Sequence, residues 1–136
     1  MPAIPGRAVV VARFTVAEQD ADRFLARSRD ALEALAGRPG YLRGQLGRAV
    51  DDPATWLLMT EWDGVGSYRR ALSAYDVKIR ATPLLASARD EPSGFEVLLA
   101  GEAAGAVLAG RSDRAPDAGT TGPGRPGRSA ERQEKS

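Results

Sequence analysis

Cysteine, histidine and asparagine are all absent from the 136 residues, and these absences exclude more chemistry than any residue present suggests. No disulfide framework, thiolate nucleophile or Cys/His zinc site can be built. A histidine general base, an imidazole haem ligand and a Ser-His-Asp arrangement are excluded with them. Acid–base work is left to carboxylates, Lys78, tyrosines and arginines. Excess charge is lacking too. Nineteen basic residues stand against eighteen acidic ones, and residues 1–100 carry thirteen of each, which argues against a nucleic-acid or membrane-surface partner. Seventeen of the nineteen basic residues are Arg; beside the Ala and Gly content this reads as coding bias rather than a binding code.

Long apolar runs are missing as well. The opening MPAIPGRAVVVARF has no small-residue cleavage site, and Ala100 to Ala109 is short and interrupted by Glu102 and glycine. Neither a secretory signal nor a membrane span is expected, so the expectation is a soluble cytoplasmic protein. Gly64-Val65-Gly66 lacks the third glycine of a dinucleotide fingerprint. Asp51-Asp52 has no oxygen-rich cluster after it and reads as a turn. No metal and no cofactor is expected.

The residues present sort into one domain over 1–100 and a Gly/Pro/Arg-rich tail over 101–136, expected to be disordered because it has little apolar content to bury. Arg7 to Val16 is Val-rich, with apolar residues at both parities, and is expected to be a central strand. Phe24, Leu25, Ser28, Ala31, Leu32 and Leu35 follow Asp20 and Asp22 at helical spacing, and Gly37, Pro39 and Gly40 end that helix. Tyr41 to Val50 alternates as a second strand, Asp51-Asp52-Pro53 turns, and Trp56 to Trp62 forms a third. Gly64 to Ser73, Tyr75 to Ala81 and a turn from Pro83 read as one broken helical region. Gly94 to Leu99 supplies the last strand.

The order β-α-β-β-α-β is the ferredoxin-like α+β arrangement, one antiparallel sheet with both helical layers on one side. A domain of about 100 residues has a modest core, so burying the other sheet face in a homodimer would add stability. A ligand pocket is expected under the helical pieces of Thr55 to Leu99.

Glu61-Trp62 at a strand end, Ser67-Tyr68-Arg69-Arg70 on a helix, Tyr75-Asp76-Val77-Lys78 and the closing Glu91-Pro92-Ser93-Gly94-Phe95-Glu96-Val97 together resemble the antibiotic biosynthesis monooxygenase family. The resemblance covers residues 7–99 and implies a dimeric α+β barrel. Haem-degrading members rely on an Asn, a Trp and a His, which fall near Ala12, Ala71 and Ala81 here, so haem degradation is not expected. Cofactor-free members orient, desolvate and deprotonate an electron-rich phenol that passes an electron directly to oxygen. On that pattern the resemblance implies Trp62, Tyr75 and Asp76 as catalytic residues, with Asp76 the base. It implies Tyr68, Arg13 and Lys78 as substrate-binding residues, with Arg13 or Lys78 stabilising an enolate or superoxide. The expected substrate is a small aromatic or quinone-like molecule.

Each candidate also has a structural account. Trp62 and Trp56 share a strand face and could be core or dimer interface. Tyr68 could pack where helix meets sheet, and Tyr75 to Lys78 could be a local cap. Arg13, inside an apolar strand, calls for a partner such as Glu61 or Glu96. A non-catalytic dimeric ligand-binding or accessory module, or a polyketide cyclase or isomerase using the same pocket, therefore stands beside oxygenation.

Overall fold

The computed structural model describes residues 3, 4, 6–110 and 112. After a two-residue strand β1 (Ala3–Ile4), the chain runs β2 (Ala8–Thr15), α1 (Ala21–Ala36), β3 (Tyr41–Ala49), β4 (Asp52–Trp62), α2 (Val65–Leu72), α3 (Tyr75–Arg80), α4 (Thr82–Leu85) and β5 (Gly94–Glu96). The four longer-range partners form one antiparallel sheet in the order β3-β4-β2-β5. This is the ferredoxin-like topology expected, with the helices on one face.

Strand alternation decides which side chains enter the core. Ala8, Val10, Ala12 and Phe14 of β2 lie opposite Trp62, Thr60, Leu58 and Trp56 of β4, and all eight are buried beneath the helices. From above, Phe24, Ala31, Ala34 and Leu35 of α1, Ala71 of α2, Val77 of α3 and Leu84 of α4 complete the cluster. Two aromatic chains run through it: Phe14, Phe24 and Trp56, edge-on with centroids 5.0 and 5.3 Å apart, and Tyr41, Trp62 and Tyr68 at 5.4 and 5.5 Å, the first pair edge-on and the second tilted. Each such pair contributes about 0.5–1.5 kcal/mol beyond its buried area.

The helical region is broken where expected. Ala74 is extended before α3, and Pro83 lies in the first turn of α4, where its missing N–H costs nothing. Gly40, at φ +90°, turns the chain from α1 into β3, and a Cβ there would overlap Ser67 of α2. Ser67 Oγ in turn donates to Asp63 Oδ1 and accepts from Arg70 Nη2, so this corner ties the start of α2 to the α1–β3 turn.

The opposite sheet face carries Val9, Val11, Leu57 and Met59 at its centre and Phe95 at its β5 edge, uncovered by any described element. Two expectations about its charges are corrected. Arg13 is not buried and meets neither Glu61 nor Glu96; its Nε and Nη2 donate to Glu91 at 2.7 and 2.8 Å. The register explains this. Arg13 lies opposite Leu57, while Glu61 lies opposite Val9, about 13 Å along the strand at ~3.3 Å per residue. Glu96 pairs with Ala8 on the helix side. The segment before β5 runs along the free edge of β2, with Arg89 N–H bonded to Arg13 O and Val11 N–H to Ser93 O, and this sets Glu91 beside Arg13. Glu61 instead sits between Arg7 and Arg43, each 3.0 Å away.

The C-terminal end also departs from expectation. The last strand of the main sheet stops at Glu96, and β6 (Leu99–Gly101) and β7 (Val107–Gly110) form a second small sheet with β1, in the order β1-β7-β6. Residues 101–110 therefore belong to the folded part, and the boundary drawn at residue 100 falls inside this sheet. Ala104 and Gly105, at φ 76° and 100°, reverse the chain between the two strands. Gly110 lies so close to the Val97 carbonyl that no side chain fits there. The remainder of the predicted tail, 113–136, lies outside the described residues.

Among the described residues no helix is long and apolar enough to cross a membrane, and no group of three or more acidic side chains is placed to hold a metal ion.

Candidate functional site

The helical layer covers the sheet incompletely at its β5 edge. On α2, Val65, Tyr68 and Leu72 recur at helical spacing and face Ala8 and Val10 of β2. β5 contributes only three paired residues, of which Gly94 and Glu96 share the helix side with Val10 and Ala8. Small residues on the sheet and a short edge strand leave a cleft of about 780 Å³, with Arg69 of α2 and Glu96 of β5 in its walls. A second hollow of about 370 Å³ lies under the 85–93 segment and shares Val10 and Tyr68 with the first.

Tyr68 is thus the polar side chain common to both spaces. Its ring leans on Trp62, and burial pushes its hydroxyl pKa up. At neutral pH it is a neutral phenol, available as a hydrogen-bond donor rather than a base. Among the described residues its hydroxyl has no hydrogen-bond partner, and the exposed Arg69 has no ion pair. Glu96 is held from outside by Ser112, whose hydroxyl donates to Oε1 at 2.7 Å. On the second hollow, Arg13 beside Glu91 holds that carboxyl below its ordinary value, by hydrogen bond first and charge second.

The six residues expected to act together are not brought together. Tyr68 lines the cleft. Trp62 is completely buried, donates its indole N–H to Thr60 Oγ1 at 2.9 Å and buttresses Tyr68 from behind. Tyr75, Asp76 and Lys78 are exposed on α3, because Val77 and Ala81 turn inward there and leave their neighbours to solvent. Asp76 accepts from Arg80, which also bonds Asp30 and Glu33 and so clamps α3 to α1. Arg13 is on the other face of the sheet. Sequence reasoning did not name Arg69, Gly94 or Glu96 as site residues. The signal available was the alternation Gly94-Phe95-Glu96, which sets Gly94 and Glu96 on one side.

Residues 7–77 match the antibiotic biosynthesis monooxygenase family, more than half of the chain. The chain belongs to this family. No curated protein matches it. Among solved structures, this monooxygenase-family chain is similar to an asparagine-to-alanine variant of SnoaB, a cofactor-independent oxygenase from Streptomyces nogalater. The identity is 28%, the TM-score 0.58, and the match covers 66% of this chain and 91% of that one. A putative antibiotic biosynthesis monooxygenase from Nitrosomonas europaea, at 14% identity and TM-score 0.56, covers 68% and 88% and shares the fold. A conserved protein from Methanosarcina mazei, at 19% and 0.57, covers 68% and 91% and shares it likewise.

Proposed function

We propose that this monooxygenase-family protein is a homodimeric, cofactor-independent oxygenase of a small phenolic or quinone-like aromatic, with the cleft beneath α2 as its site. The observation that carries the reading is the cleft itself: apolar side chains on its floor, one half-buried tyrosine with a hydroxyl free to donate, and one cation and one carboxylate in the walls. Likeness to SnoaB supports the reaction class.

The chemistry asks little of the protein. A ring carbon beside a phenol is activated once the phenol loses its proton; the resulting anion gives one electron to O2, and radical and superoxide combine to form a carbon–oxygen bond. Loss of water from that hydroperoxide leaves a ketone or quinone carbonyl, with one oxygen atom in the product and the other in water. Within this reading, Glu96 takes the phenol proton and returns it to the peroxide anion to give the hydroperoxide, while Arg69 attracts the phenolate and Tyr68 donates to its oxygen. A hydrogen bond to a charged group of this kind is worth about 1.5–3 kcal/mol. A flat aromatic lying over Ala8, Val10 and Leu72 would displace water from the open cleft and strengthen each of these interactions.

The uncovered Val9, Val11, Leu57, Met59 and Phe95 support a second copy as the cover of the open sheet face. A cytoplasmic location and the absence of a nucleic-acid partner are part of the same reading, on the balanced charge.

The test is oxygen uptake by chelator-treated protein given dithranol, a three-ring anthrone, under 18O2, with heat-denatured protein as control. Uptake above control and a product gaining one labelled oxygen are expected. A second reading, ligand binding without turnover, is favoured by the exposure of Tyr75, Asp76 and Lys78 away from the cleft. Dithranol binding under argon with no uptake in oxygen would establish it in place of the first.

A further inference from the structure

Gly94 is a glycine that neither backbone nor packing requires. Its φ is not left-handed, unlike those of Gly40 and Gly105. A Cβ at this position would meet no atom within 4 Å. It nevertheless sits in a strand, opposite Val10, where glycine weakens pairing and a β-branched residue would strengthen it. A glycine at the start of this edge strand leaves room for something else to approach the backbone closely. That something is not another part of this chain among the described residues. The space its side chain would enter is the cleft, since Gly94 shares the helix side with Val10 and both line it.

We propose that Gly94 determines the size of ligand the cleft accepts, the edge of a fused-ring ligand lying over its backbone where a side chain would otherwise stand. This rests on the reading of the cleft as the ligand site. Other lining positions cannot play the part as simply. A Cβ on Gly66 would come within 3.1 Å of the Arg70 guanidinium, and Ala8 and Val10 are buried core residues. Gly101 provides the control: it too meets nothing within 4 Å, but it lies on β6 in the second sheet and does not line the cleft.

The experiment is calorimetric titration under argon, so that binding is read without turnover, with dithranol as the fused-ring probe and phenol as the single-ring probe. Gly94→Val and Gly94→Leu are compared with wild type and with Gly101→Val, and Tm is recorded for each. The expected result is a loss of dithranol affinity of about tenfold or more in both Gly94 variants, as overpacking of a filled site gives. Phenol affinity should change by less than about twofold, Gly101→Val should bind as wild type, and the Tm of the Gly94 variants should hold or rise. Wild-type dithranol affinity in Gly94 variants that keep their Tm would overturn the inference and leave the site reading standing. A fall in Tm confined to the Gly94 variants would overturn it differently, by showing that the fold needs the glycine. Failure of wild type to bind dithranol would refute the site reading and the inference together.

Discussion

Replacing Trp62 with Phe separates packing from chemistry at the centre of this account. The indole is completely buried, packs edge-on to Tyr41 and tilted against Tyr68, and bonds Thr60 Oγ1. Phenylalanine retains a ring but removes the N–H, leaving the buried Thr60 hydroxyl without its donor, at about 1–2 kcal/mol. The smaller ring leaves a void and loosens two aromatic contacts, each effect about 0.5–1 kcal/mol. The sum is a destabilisation of about 2–4 kcal/mol. Urea unfolding at fixed subunit concentration, with the slope m compared between the two proteins, measures it. A change below about 1 kcal/mol at unchanged m would refute the reasoning, because it would mean that the indole is not the keystone its burial indicates. Since Trp62 touches the ligand space only through Tyr68, turnover per folded molecule should fall less than in a variant of Tyr68 itself.

Three further outcomes follow from particular contacts. Gly40→Ala forces a side chain into a left-handed turn and onto Ser67, and should destabilise by about 2 kcal/mol or more; thermal unfolding with an unchanged midpoint would contradict it. Glu91 has its folded pKa lowered by Arg13, so the pair's contribution to stability is present above the unfolded carboxyl value of 4.5. It is lost as pH falls through the lower folded value. Glu91→Gln should therefore flatten the acid limb of the stability profile, an effect that salt shrinks because both side chains are partly exposed. Leu57→Arg places a charge in the middle of the open sheet face, and on the proposed homodimer sedimentation should show dimers for wild type and monomers for the variant; variant dimers of unchanged affinity would move the interface elsewhere.

Most of the fold was legible because local pattern and tertiary arrangement agree. Trp56, Leu58, Thr60 and Trp62 alternate as a strand over a helical layer must, and Phe24, Ser28, Ala31 and Leu35 sit on one helix face. The site was less legible for identifiable reasons. Tyr68 and Tyr75 look equivalent in sequence, but the rotation of each helix separates them: α2 turns Tyr68 down with Val65 and Leu72, whereas inward Val77 and Ala81 leave Tyr75 79% exposed. The spacing carries this signal, because Val77 lies inside the Tyr-Asp-x-Lys cluster and its inward turn sets the cluster's polar side chains toward solvent. Arg13 found Glu91 through the irregular 89–93 segment, whose course along β2 no local pattern announces. The hairpin over 99–110 is rich in Ala and Gly, so its composition resembles a tail although Gly110 and the Ala104-Gly105 reversal fit it to the domain.

The measurement that tests the account most directly is dithranol turnover, in oxygen, by Tyr68→Phe and Tyr75→Phe side by side, with both variants shown to be folded. Removing the hydroxyl that faces the cleft should lower kcat/KM by about tenfold or more, as loss of a hydrogen bond to a charged oxygen does. Removing the one that faces solvent should leave it unchanged. Full activity in Tyr68→Phe with a loss in Tyr75→Phe would contradict the cleft beneath α2 as the site of the chemistry.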